Sequence, residues 1–165
     1  MIEKIGENRV ALFSDCLRYR YTLKISWDNQ KPLCNFLMLN PSTADEIKND
    51  PTVERAERYA RHWEYGALMV TNIFAFRATD PKEMKSVSDP VGVFNDQAIV
   101  ESAQNARLTV CAWGNHGSHI NRSKAVVNLL KTAGIDMRCL TLTKAGEPGH
   151  PLYLRKNLKP IIFEL

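Results

Sequence analysis

The sequence predicts an open α/β fold in which four parallel strands, with the second at one edge followed by the first, third and fourth, come after an antiparallel hairpin. Three observations carry this. Four apolar runs, through Leu37, Met69, Val110 and Leu140, alternate with helix-periodic segments, the pattern of βα units that builds a parallel sheet. Each run stops abruptly at a polar, Gly-rich or Pro-rich loop, as buried strands do at the sheet edge where such folds hold ligands. The 165 residues, 44% of them hydrophobic, suit one domain over residues 1–165 with a proper core.

Val10 to Cys16 and Arg18 to Trp27 read as the hairpin. In its second strand Tyr19, Tyr21, Leu23 and Ile25 alternate with Arg18, Arg20, Thr22 and Lys24, so one face is buried and the other is wet and basic. That basic row is either a solvated face or a stripe that tracks phosphates. The first parallel strand passes through Phe36 to Leu39 into Asn40-Pro41-Ser42-Thr43-Ala44-Asp45, where Thr43 and Glu46 have capping-box spacing and predict a helical turn. Asp50 is placed to cap a helix that begins at Pro51. Val53, Ala56, Ala60 and Trp63 then face the sheet, and Glu54 with Arg58 and Glu57 with Arg61 pair outside.

Ala67 to Ile73 is the second parallel strand, and the loop after it leads to a helix start at Asp80-Pro81 and a further helix over Val91 to Ala106. Leu108 to Trp113 is the third strand and ends in Trp113-Gly114-Asn115-His116-Gly117. Asn121 to Ala133 is an amphipathic helix closed by Gly134. Ile135 to Leu142 is the fourth strand, and Thr143 to Tyr153 is its terminal loop. Right-handed crossovers bring all four strand ends to one edge, so Asn40, Asn72, Asn115 and His150 are expected to line one cleft.

Composition narrows the classes of function. A net charge of +4 permits a nucleic-acid or phosphate-bearing partner without demanding one. Cys16, Cys34, Cys111 and Cys139 are scattered and no pair has C-x-x-C spacing, so a disulfide framework or a zinc site is not expected. Free, buried thiols in a reducing cytoplasm are. His116 and His119 have no carboxylate or thiol close by in sequence, so no metal is expected there. The first residues are mixed in charge and no apolar segment approaches bilayer length, so no membrane partner is expected.

The stretches LNPSTAD, DPT, NIFAFRATDP, WGNHG and HPLY together resemble the bacterial and phage family catalogued as domain of unknown function 1643, a name that carries no activity. More distantly, the order of motifs resembles the uracil-DNA glycosylase superfamily, which implies a three-layer α/β/α fold around a four-stranded parallel sheet. Within that resemblance, Leu39-Asn40-Pro41-Ser42 is similar to the loop whose Asn positions water. Thr71-Asn72-Ile73 is similar to the strand whose Asn reads the base edge, and Ala112-Trp113-Gly114 to the end of the third strand. His150-Pro151-Leu152 resembles the loop whose His stabilises the departing base. Ser42 stands where glycine is usual, and Leu152-Tyr153 replaces the usual Ser-Pro. The iron–sulfur cysteines of some branches have no counterpart, so no cofactor is expected.

The resemblance implies recognition of a nucleobase or nucleotide, free or in nucleic acid, with hydrolysis of its N-glycosidic bond. The alternative is a non-catalytic module that binds the same ligand. Asn40 and His150 are the candidate catalytic residues. Asn40 lacks a useful pKa but its carbonyl can hold water, and a His N–H can donate to a base oxygen. Asn72 and Asn115 are candidate substrate contacts, Phe74 and Tyr153 candidate stacking platforms, and Arg77, Lys144 and Arg122 candidate phosphate contacts. Each has a plainer alternative: Asn72 as a loop cap, His150 as a brace for Pro151, the aromatics as core, and the basic residues as solvated surface.

Overall fold

The computed structural model describes all 165 residues, Met1–Leu165. Strands β1 (Ile2–Ile5), β2 (Arg9–Phe13) and β3 (Arg20–Ser26) come first, followed by β4 (Leu33–Met38), helix α1 (Pro51–His62) and β5 (Ala67–Asn72). Helices α2 (Pro81–Ser86) and α3 (Asn95–Asn105) lead to β6 (Leu108–Cys111), and a 3-10 segment (Asn115–Asn121) leads to α4 (Arg122–Thr132). Strands β7 (Met137–Cys139) and β8 (Ile161–Ile162) complete a single eight-stranded mixed sheet in the order β1-β2-β3-β5-β4-β6-β7-β8.

Strand β4 pairs in parallel with both β5 and β6, and β6 pairs in parallel with β7. The sequence reading expects a four-stranded parallel sheet preceded by a hairpin, whereas these four strands are the interior of one eight-stranded mixed sheet. Strand β3 pairs antiparallel with β5, Leu23 opposite Val70 and Ile25 opposite Leu68, so the hairpin extends the parallel strands directly. The terminal strands β1 and β8 went unpredicted. Both are mostly exposed edge strands, one of four residues and one of two, and neither has an apolar run to read.

Side chains alternate across a strand, and the core divides accordingly. Phe36, Met38, Val110 and Ala112 point to the face covered by α1, where Val53, Ala56, Tyr59 and Ala60 are buried. Leu37, Leu39, Cys111 and Trp113 point to the other face, against Ile99 and Ala103 of α3 and Val126, Val127 and Leu130 of α4. Burying a valine-sized side chain contributes about 1.5–3 kcal/mol, so the apolar stripe of α1 fixes its seat on the sheet. Stacked rings of Phe36, Tyr59 and Trp63, with centroids 5.3–6.3 Å apart, reinforce it.

Helix α1 begins where the sequence places it. Asp50 caps it, accepting the Val53 N–H at 2.9 Å, with Pro51 in the first turn. No helical turn forms at Thr43 to Glu46. Instead the Asp45 carboxylate accepts the N–H groups of Ile47 and Lys48, and Asp50 Oδ2 accepts that of Ala44 at 3.1 Å. Those side chains take the local donors a helix would need, and the stretch folds as a loop over the end of β4.

Three cysteines, Cys34, Cys111 and Cys139, are buried, Cys16 is exposed, and all four are free. No helix is long and apolar enough to cross a membrane.

Candidate functional site

The register between β4 and β5 sets Met38 beside Asn72, so the chain leaves both strands at the same level. Beyond that edge a cleft of about 460 Å³ opens, lined by Asn40, Asn72, Asn115 and His150 together with Arg20, Asp50, Trp113 and His116. This is the size range of small-molecule sites. The four strand-end residues that the sequence brings to one edge therefore share one cavity.

Asn40 is held by its amide nitrogen. Nδ2 donates to Ala78 O at 2.8 Å and to Pro41 O at 3.2 Å, which orients the amide and leaves Oδ1 as its free acceptor. Asn72, almost fully buried, is held the opposite way: its Oδ1 accepts from Arg20 at 3.2 Å, and Nδ2 remains as the free donor. Its backbone is clamped as well. Asn95 Nδ2 donates to Asn72 O at 2.8 Å and to Ile73 O at 3.2 Å, and Arg122 Nε donates to Ile73 O at 2.7 Å.

His150 packs against Gly114, whose φ of +73° lets the chain turn at the end of β6. The ring accepts the Leu152 N–H at Nδ1 across 3.3 Å. A backbone amide can only donate, so the neutral ring carries its proton on Nε2. Burial pushes the His150 pKa below its ordinary value, and the charge of Asp50 only partly opposes this.

The loop that carries His150 is anchored from inside. Buried Glu147 accepts from Trp113 Nε1 at 2.7 Å and from Ser123 Oγ at 3.0 Å, and Thr143 Oγ1 donates to Asn115 Oδ1 at 2.6 Å. Downstream, Arg55 and Tyr59 of α1 and Trp63 just past its end donate to the carbonyls of Leu154, Arg155 and Leu158.

The remaining candidates lie elsewhere. Phe74 is fully buried among the side chains beneath α3 and α4, because its N–H follows the sheet ladder to Leu39 O. Tyr153 is 92% exposed, with φ of +70° turning it away into a neighbouring groove with Arg55, Arg58 and Lys156. Arg77 donates to Leu17 O and lies over the Phe13 ring, so it braces the hairpin. Lys144 is exposed and outside the cleft lining. Arg122 is buried in an ion pair with Asp96 at 2.6 Å.

Sequence reasoning missed Arg20, Asp50 and His116 as cleft residues. Arg20, expected on the wet face, is 1% exposed and donates to Ala44 O at 2.7 Å. Burial lowers its pKa to about 10, so it stays charged at neutral pH. Asp50 is read as a cap and is one, and the cap stands at the cleft wall. His116 Nδ1 lies 2.8 Å from Lys85 Nζ, and burial followed by that lysine lowers its pKa. No group of three or more His, Cys, Asp or Glu side chains is arranged to hold a metal ion.

No curated protein and no solved structure matches the chain. The family described as "Protein of unknown function (DUF1643)" matches residues 20–152, from the cleft arginine to the residue beyond the His150-Pro151 pair, and the chain belongs to that family.

Proposed function

We propose that the cleft binds a nucleobase and hydrolyses the N-glycosidic bond joining it to a sugar, in a nucleotide or in nucleic acid. One observation carries this reading: a free acceptor, Asn40 Oδ1, and two free donors, Asn72 Nδ2 and the His150 Nε2–H, line the same cavity. Base excision needs a held water, a group that reads the base and a donor for the departing base. Asn40 holds the water, whose oxygen bonds to the anomeric carbon as the C–N bond breaks. The bonding electron pair leaves with the base. His150 stabilises that charge from Nε2, and the proton lost by the water reaches the base nitrogen through solvent.

The glycosylase-like, three-layer reading of the fold belongs to this proposal. It is supported by the parallel order β5-β4-β6-β7 and by α1 lying on one face with α3 and α4 on the other.

A non-catalytic binding module is the second reading. It is favoured by Ser42 in the water-positioning loop and by Asp50, the one carboxylate lining the cleft, having both oxygens engaged by backbone N–H groups. Crystals soaked with a nucleobase panel test the shared part of the two readings. Both expect a base in the cleft within hydrogen-bond reach of Asn72 Nδ2, and bases bound only elsewhere on the surface overturn both.

A further inference from the structure

Arg20 has five N–H donors and no acceptor. Two of its nitrogens donate to neutral groups, Ala44 O and Asn72 Oδ1, while its buried Nε–H has no partner and the side chain enters no ion pair. A buried charged donor left unpaired is costly, and the residue that carries it is among those lining the cleft. The same contact changes what Asn72 offers. With Oδ1 held by Arg20, only Nδ2 is left, so Arg20 and Asn72 together present donors and no acceptor.

That wall mismatches an amide-like edge such as that of uracil, where a donor N–H sits beside the carbonyl. Adenine pairs its N7 acceptor with an N6 donor, cytosine offers an N4 donor, and guanine presents two adjacent acceptors, O6 and N7. An anion also satisfies donors, but Asp50 disfavours it. Its carboxylate lines the same cleft and holds the N–H of Ala44, the residue whose carbonyl Arg20 binds.

We infer that Arg20 is the specificity-determining residue of the cleft and selects a 6-oxopurine by the paired acceptors O6 and N7. The inference rests on the base-binding reading above and names its substrate class. Titration calorimetry on the wild-type protein with guanosine, inosine, adenosine, 2,6-diaminopurine riboside, 7-deazaguanosine, uridine and inorganic phosphate tests it. Guanosine and inosine are expected to bind about tenfold or more tighter than the others, because each of the others lacks O6 or N7 as an acceptor. In the same protein the Arg20 Nε–H resonance shifts with guanosine and stays unmoved with 7-deazaguanosine. This second readout needs no variant that risks unfolding.

Arg20→Lys, where it folds, brings the ratio of guanosine to adenosine affinity towards one. Equal binding of all nucleosides, an unmoved Arg20 resonance, or a folded Arg20→Lys that keeps the preference overturns the role of Arg20 and leaves base binding intact. Phosphate binding that competes with guanosine overturns it in favour of an anion site. Binding of none of these ligands overturns both this inference and the base-binding reading.

Discussion

The guanidinium of Arg20 donates to Asn72 Oδ1 across 3.2 Å, tying the first residue of β3 to the last residue of β5 at the inner wall of the cleft. Both residues are almost fully buried, so the contact bears on stability as well as on the wall the cleft presents. Asn72→Ala removes the acceptor and leaves a second nitrogen of a buried guanidinium unpaired. The expected cost is on the order of 1–3 kcal/mol, read as a lowered urea midpoint, together with weakened and less selective base binding.

Glu147→Ala tests how the His150 loop is held. The carboxylate is the acceptor for both Trp113 Nε1 and Ser123 Oγ, and its loss leaves a buried indole N–H without a partner. A destabilisation of about 2 kcal/mol or more is expected in chemical denaturation. Glu147→Gln keeps an acceptor oxygen for one of the two donors and is expected to cost less.

The lowered pKa of His150 gives stability a pH dependence of definite sign. In the unfolded chain the imidazole titrates near 6.5, whereas burial holds the folded value below that. As pH falls below about 6.5 the unfolded state takes up the proton first, so stability is full above that value and declines through the window down to the folded pKa. His116 shifts in the same direction, through burial and Lys85. Urea midpoints measured between pH 7.5 and pH 5 should fall, and His150→Gln should flatten part of that slope.

Thiol reactivity should divide one against three. Cys16 is exposed, and hydrogen bonding from Ser14, with Arg18 close by, brings its pKa down to about 7. Burial raises the pKa of each of the other three. The thiolate is the nucleophile, so the native protein should show one rapidly alkylated thiol, with a rate that rises through neutral pH. Cys16→Ser should abolish that fast phase, while denaturation exposes the remaining three.

The strands that shape the cleft were legible because each is an apolar run stopped by a polar loop. Asn40, Asn72, Asn115 and His150 reach one cavity for that reason. Arg20 was not legible, because alternation along β3 assigns it to the face of Arg18 and Lys24, which are indeed exposed. The loop from Asn40 to Asp50 covers it, Ala44 O taking its guanidinium, and no local period encodes contact with a segment two dozen residues away. Phe74 shows the converse. It follows a strand end in sequence but continues the backbone ladder through Leu39 O, so its ring enters the core instead of the cleft. The capping-box spacing of Thr43 and Glu46 lost to the side chains of Asp45 and Asp50, which take the N–H groups of Ala44, Ile47 and Lys48 and hold the stretch as a loop.

The measurement that bears most directly on the central claim is release of free base from labelled single-stranded DNA, duplex DNA, RNA and free nucleotides, by the wild type and by Asn40→Ala. Asn40 Oδ1 is the free acceptor of a side chain whose Nδ2 is already committed to Ala78 O and Pro41 O. Loss of one positioned transition-state contact costs on the order of 100-fold or more in rate. The account predicts base release by the wild type from at least one of these substrates, a fall of that size in Asn40→Ala, and base affinity little changed between the two proteins. Undiminished release by Asn40→Ala, or no release by the wild type from any substrate, contradicts the hydrolytic claim, and in the second case a base still bound in the cleft makes the protein a binding module.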